Sequence, residues 1–188
     1  MKTRAGSFKR VYLAAVLILL PWGGAIPRVA AQPVTDAEIK ATLLFKFVPF
    51  VRWPKPKTVQ ADHFIFLIVG QDPFGPVIDH FEGQSIRGRP LKIVRVPDFR
   101  VTSEEPLPAC DMVFISASMA DQLDALLAGL DGKPILTVSD QAGWGARGVM
   151  INFFESEESV RFEINPQSTR ASGIRIGAQL LKLSRIVK

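Results

Sequence analysis

Cysteine occurs once in these 188 residues, at Cys110, and histidine only twice, at His63 and His80. A single thiol closes no intramolecular disulfide, so the fold must stand on its hydrophobic core. Cys110 is then either buried and inert or available for pairing between molecules, and a homodimer stays open on that ground. No spacing of His, Cys, Asp and Glu matches a metal site, and no cofactor is expected. Acidic residues are missing before Asp36, whereas Lys2, Arg4, Lys9, Arg10 and Arg28 all fall there. Long apolar runs are missing too. The run from Val11 to Leu20 is about half of the ~20 residues that a spanning helix needs.

That basic start, the short apolar run, the break at Pro21-Trp22-Gly23-Gly24 and the small residues Val29-Ala30-Ala31 read as a secretory signal peptide over residues 1–31. The expected location is the periplasm, with a single domain over residues 32–188. Five of the 23 Lys and Arg residues lie in the signal and none of the 18 Asp and Glu residues does, leaving 18 of each. A mature chain of zero net charge lacks the basic excess that nucleic-acid binding draws on, and nucleic acid is not an expected partner.

Thr35-Asp36-Ala37-Glu38 is a capping box and predicts a helix start. Glu38, Thr42, Lys46, Pro49 and Arg52 fall three or four apart, one polar stripe on an otherwise apolar helix that includes Phe45, Phe47 and Phe50. The stripe predicts a helix running to Trp53, bent at Pro49 and ended by Trp53-Pro54. Residues 54–61 read as a loop. Strands follow at 63–69, 91–96, 111–115 and 134–138, with a short helix from Asp72-Pro73 to Phe81 and an amphipathic one over 118–130. Residues 149–154 and 160–164 flank the polar turn at 155–159 and read as an antiparallel hairpin. A last helix is expected from about Thr169 to Val187. The alternation predicts a single three-layer α/β domain. Its sheet is mostly parallel and flanked by helices, with the antiparallel C-terminal hairpin at one edge.

Gly143-Trp144-Gly145-Ala146-Arg147-Gly148 fits the dinucleotide fingerprint G-x-G-x-x-G. The run that follows, Val149 to Phe154, has no helical period, so no helix N-terminus stands ready for a pyrophosphate. A glycine-rich loop leading into the hairpin is the plainer reading. The acidic turn lacks the alternating oxygen ligands and glycine of a calcium loop. Ser116 and Ser139 end strands, yet neither histidine sits in a motif with them, and no catalytic residue is assigned. Surface recognition remains. Trp53, Trp144 and Phe154 are large groups at element ends or in loops, and aromatic anchors of this kind recur at protein interfaces. They are the candidate partner contacts.

The stretches "LLFKFVPFVRWP", "IVGQDPFG", "RGRPLKIVRV", "ACDMVFIS", "ILTVSD", "RGVMINFF", "VRFEIN" and "SGIRIGAQLLKLSRIV" occur in this order over nearly the whole mature chain. Together they resemble the YfiR family of periplasmic proteins, also called HmsC-like. The resemblance implies a non-enzymatic regulator that binds the periplasmic region of an inner-membrane diguanylate cyclase or sensor and holds it down. It also implies relief by an outer-membrane lipoprotein and control of cyclic-di-GMP and biofilm. Some members carry intramolecular disulfides. Here Cys110 matches a family cysteine, but the neighbouring "FIFLIVG" has no partner for it, so an intramolecular redox switch is not expected. The competing reading is a periplasmic small-ligand binding protein that uses the crevice at the C-terminal edge of the sheet.

Overall fold

The computed structural model describes residues 35–54, 62–100, 107–156 and 159–187. The signal peptide, most of the loop at 54–61 and the middle of the acidic turn lie outside the described residues.

Helix α1 (Asp36–Phe47) begins on the capping box: Thr35 Oγ1 accepts from the Glu38 amide, and the Glu38 carboxylate accepts from the Thr35 amide at 2.7 Å. Asp36 and Glu38 lie in its first turn and Lys46 in its last, each matching the sign of the helix dipole at its end. The expected bend at Pro49 is absent because the α-helix stops first. Pro49 has no amide to give and would crowd the Phe45 carbonyl, so Val48–Phe50 tightens into one 3-10 turn and Val51–Arg52 runs on as an extended strand, β1.

The remaining strands are β2 (Phe64–Val69), β3 (Ser85–Ile86), β4 (Arg89–Val96), β5 (Met112–Ile115), β6 (Leu136–Ser139), β7 (Ile151–Ser156), β8 (Ser159–Ile164), β9 (Arg175–Ile176) and β10 (Arg185–Ile186). Eight of them form one sheet in the order β10-β8-β7-β6-β5-β2-β4-β3. It is parallel from β4 through β7, and antiparallel in the β7–β8 hairpin and at β3–β4. The hairpin stands one strand in from the edge, since β10 pairs parallel outside β8. The short helix after β2 and the first part of the helix after β5 are 3-10 segments, Gly75–Phe81 and Ala117–Gln122; the second leads directly into α2 (Leu123–Leu130).

Alternation along the central strands separates two apolar layers. Phe64, Phe66 and Ile68 of β2 and Met112 and Phe114 of β5 face α1, where Phe45 packs edge-on against Phe66 and Phe47 meets Phe153 and Phe162 of the hairpin. Leu67, Val69, Val113 and Ile115 face α2, through Leu123, Leu126 and Leu130. The three-layer α/β expectation is met.

The single C-terminal helix is not. Residues 166–186 form α3 (Pro166–Ala171), β9, α4 (Ala178–Leu183) and β10. Gly173 takes a left-handed φ of +74° just after α3, a helix-ending conformation that glycine adopts at no steric cost. Ile174 then turns into the core. Gly177 lies so near the 3-10 turn that a Cβ would come within 3.2 Å of the Phe50 carbonyl oxygen. That carbonyl accepts the Gly177 amide at 2.8 Å. Here two glycines and a tertiary pairing override a helical period.

Candidate docking surface

Strands β1 and β9 form a separate two-stranded antiparallel ribbon, with Val51 opposite Ile176 and Arg52 opposite Arg175. Directly opposed residues project to the same face of such a ribbon, so two exposed guanidinium groups share one face. Neither makes an ion pair among the described residues. A like-charged pair is unfavourable in an isolated sheet, and a carboxylate on a partner would relieve it.

Trp53 leaves this ribbon toward the N-terminal ends of β2 and β5. Its ring stands edge-on to Phe64, 5.8 Å between centroids, and its Nε1–H donates to the Asp111 carbonyl at 3.2 Å. Arg87 covers the indole at 5.0 Å and donates to the Val51 carbonyl at 3.2 Å. Arg87 sits in the β3–β4 hairpin turn with φ +53°, followed by Gly88 at +80°. Left-handed backbone at both central positions suits a tight hairpin, but a non-glycine residue there costs on the order of 1 kcal/mol. Below it, Arg89 joins the Asp111 carboxylate and donates to the His63 carbonyl at 2.8 Å. Trp53 is half-buried, while Phe50, Arg52, Pro54 and Arg175 are exposed. Arginine beside aromatic rings is the composition enriched in protein interfaces.

The other two aromatic candidates lie elsewhere. Trp144 is 6 % exposed and packs in the α2-side layer. The expectation of a surface ring there gives way to core packing, because the turn at 142–148 folds inward over α2. Phe154 is half-exposed at the C-terminal end of the sheet, opposite to Trp53, with the Arg185 guanidinium 4.0 Å over its ring. Arg185 also donates from Nε at 2.9 Å and from Nη2 to Glu163, a buried carboxylate. The three named aromatics therefore do not form one patch. The arginines that cap Trp53 and Phe154, Arg87 and Arg185, went unnoticed in the sequence. Only the juxtaposition of distant segments reveals them.

Catalytic groups are not assembled among the described residues. Ser139 is fully buried and donates to the Ile115 carbonyl at 2.8 Å. His63 precedes β2 at the other end of the sheet, and His80 is exposed with Nδ1 3.0 Å from the Val77 carbonyl. Asp140 is held by Lys40 at 2.8 Å. No group of three or more His, Cys, Asp or Glu side chains converges among the described residues. The fingerprint glycines precede strand β7, and no helix follows them. Gly145 is needed because a Cβ there would overlap Glu163. Cys110 is partly buried, and loss of hydration, then the neighbouring Asp111 charge, pushes its thiol up to about 12.

At the switch point between β2 and β5, where a crevice at the C-terminal strand ends is expected, the segments after the two strands are tied together. Ser118 Oγ accepts the Gln71 amide at 2.9 Å, and a Cβ on Gly70 would overlap that oxygen. A cavity of about 480 Å³ lies instead between α2, the 142–148 turn and α3.

The fold and this surface define an α/β domain with a ribbon of aromatic and guanidinium groups at one end. A family model described as YfiR/HmsC-like matches residues 37–185, and the chain belongs to that family. No curated protein matches the sequence. Two solved structures resemble it at 10% identity. One is a conserved domain protein from Vibrio cholerae O1 biovar El Tor, with a TM-score of 0.54 over 82% of this chain and 61% of that one. The other is the ABC domain in complex with L-Trp from Streptococcus pneumonia, with a TM-score of 0.51 over 80% of this chain and 60% of that one. This chain spans about three-fifths of the length of each, and the likeness is one of α/β fold alone.

Proposed function

We propose that this chain is a periplasmic regulatory protein that binds and represses an inner-membrane diguanylate cyclase or similar sensor, lowering cyclic-di-GMP and biofilm formation. It acts by contact and turns over no substrate. An outer-membrane lipoprotein relieves it. Membership of the YfiR/HmsC-like family supports the reading. The observation that carries it is the β1–β9 ribbon, where Arg52 and Arg175 oppose each other with no ion pair among the described residues, beside the half-buried Trp53. Among the described residues no helix is long and apolar enough to cross a membrane. Export follows from the acid-free basic start and apolar run of residues 1–31, with the mature chain beginning near Gln32.

Deleting the gene should raise cyclic-di-GMP and biofilm in a strain that carries the cyclase. Trp53→Ala, and Arg52→Glu combined with Arg175→Glu, should do the same while periplasmic abundance stays normal. Unchanged cyclic-di-GMP in the deletion strain would sink the reading.

A further inference from the structure

Strand β10 ends the eight-stranded sheet, and among the described residues no strand pairs with its outer side. The Val187 amide donates to the Ile164 carbonyl at 2.9 Å, which turns Arg185 and Val187 toward β8. Successive residues of a strand aim their N–H and C=O groups to opposite sides, so those of Ile186 point outward. An open edge of this kind is a template for pairing with another chain. Its side chains are uncovered too. Leu183 is 73% and Ile186 47% exposed, which places large apolar surface beside the unpaired backbone.

The two residues of β10 differ in chemistry across the pleat. Arg185 lies opposite Glu163 and Ile186 opposite Ile164. The Arg185 guanidinium holds the buried Glu163 through Nε and Nη2, yet its side chain is 59% exposed. Its Nη1 donates to nothing among the described residues, so it can serve a second carboxylate from outside. Charge decides what fits here. Strands β8 and β10 and helix α4 carry Arg161, Lys182 and Arg185 against one acid, Glu163, which is already paired. Arg161 makes no ion pair among the described residues. A second copy would bring its own Lys182 and Arg185 to the same edge, and like charges on adjacent strands oppose pairing. An acidic strand relieves the excess.

We propose that the open edge of β10 receives an extended segment of a partner protein in which acidic and apolar residues alternate. Its backbone pairs with Ile186, with a carboxylate beside Arg185 on one face and an apolar side chain beside Ile186 on the other. In strand addition, main-chain hydrogen bonds give affinity and alternate side chains give specificity. The site uses none of the groups around Trp53 and does not rest on the regulator reading.

The test is an NMR titration of the purified protein with acetyl-Glu-Val-Glu-Val-Glu-amide, its isomer acetyl-Glu-Glu-Glu-Val-Val-amide and acetyl-Lys-Val-Lys-Val-Lys-amide. The alternating acidic peptide should saturate, shift the Ile186 amide and slow its exchange with water. The isomer should bind at least about tenfold more weakly, and the lysine peptide should not bind. Ile186→Pro removes the outward N–H and keeps the pairing of Arg185 and Val187 with β8; it should abolish binding and leave the amides of β2 and β5 unshifted. The acidic peptide N-methylated at every residue keeps its side chains and loses its donors. It should not bind the wild type, and it decides the backbone's part even where Ile186→Pro disturbs the fold. No saturable binding of the acidic peptide, equal binding of its isomer or of the lysine peptide, unchanged exchange at Ile186, or undiminished binding after N-methylation overturns the proposal. Cyclic-di-GMP enters none of these measurements, so their failure leaves the regulator reading standing.

Discussion

Trp53 and Trp144 look alike in the sequence: each is an indole at a break between elements, next to a proline or between glycines. Folded, they stand in different situations. Trp53 rests edge-on against Phe64 with its other side under Arg87, and exposed Arg52 and Pro54 flank it. Trp144 closes the α2-side layer beside Val149. Its turn is tied by the Arg147 and Val149 amides, both donating to the Trp144 carbonyl at 3.1 Å. The difference lies in what meets each ring from far along the chain. A tryptophan that meets helix and sheet becomes core. One that meets a two-residue ribbon and a hairpin turn keeps a wet side.

The comparison breaks first at Trp144. Trp144→Ala should cost about 3–5 kcal/mol, as for large-to-small changes in a packed core, and should deplete the protein from the periplasm. Thermal unfolding of the purified variant checks it. A loss of about 2 kcal/mol or less, under that range, would place Trp144 with Trp53. Next is Gly145→Ala in the same turn. The added methyl overlaps the Glu163 carboxylate, and overpacking of this kind costs about 1–3 kcal/mol. Combined with Glu163→Ala, part of that cost should disappear, so a double-mutant cycle in urea measures the contact directly.

How far the sequence could be read follows the same division. The strands at 63–69, 91–96 and 111–115 and the capping box were legible because short-range pattern decides them. Phe64 to Val69 is too apolar for anything but a strand covered on both faces. The C-terminal helix was misread because Ile174, Ala178 and Leu181 keep a helical spacing. Of the features that break it, the left-handed Gly173 is local, but the approach of Gly177 to Phe50 depends on a segment more than 120 residues earlier. The α1 extension failed in the same way, since Val51–Arg52 straightens to pair with Arg175–Ile176. Of the candidate surface, Trp53 and Phe154 were named from the sequence. The arginines over their rings were not, because nothing local links Arg87 to Trp53 or Arg185 to Phe154.

Trp53→Ala sharpens the contrast from the other side. It removes one hydrogen bond to the Asp111 carbonyl, one edge-on aromatic contact and the seat of the Arg87 guanidinium. The cost should be about 1–3 kcal/mol, the sum of typical values for the hydrogen bond and the aromatic contact, and smaller than for Trp144. The variant should therefore accumulate normally in the periplasm while cyclic-di-GMP rises. Loss of both abundance and repression would show that Trp53 acts only as packing.

The smallest effect is expected at Cys110, which touches both regions: its side chain packs with the Trp144 layer, while the next residue, Asp111, serves Trp53. Burial raises the folded-state thiol from its ordinary 9.0 to about 12. The folded chain thus keeps a proton that the unfolded chain loses above pH 9, and stability falls as pH rises whenever the folded state holds more protons. The Cys110 contribution should be complete below pH 9 and fade between pH 9 and 12. Urea midpoints of the wild type and Cys110→Ala, compared at pH 8 and pH 10.5, should converge at the higher value. At pH 8 the native thiol should react slowly with a disulfide reagent and quickly in urea, because the thiolate is the nucleophile. Reductant should leave the melting temperature of the monomer unchanged, since one cysteine closes no loop. A midpoint difference that widens from pH 8 to 10.5, with rapid native labelling, would mean that Cys110 is in contact with water and lies outside the Trp144 layer.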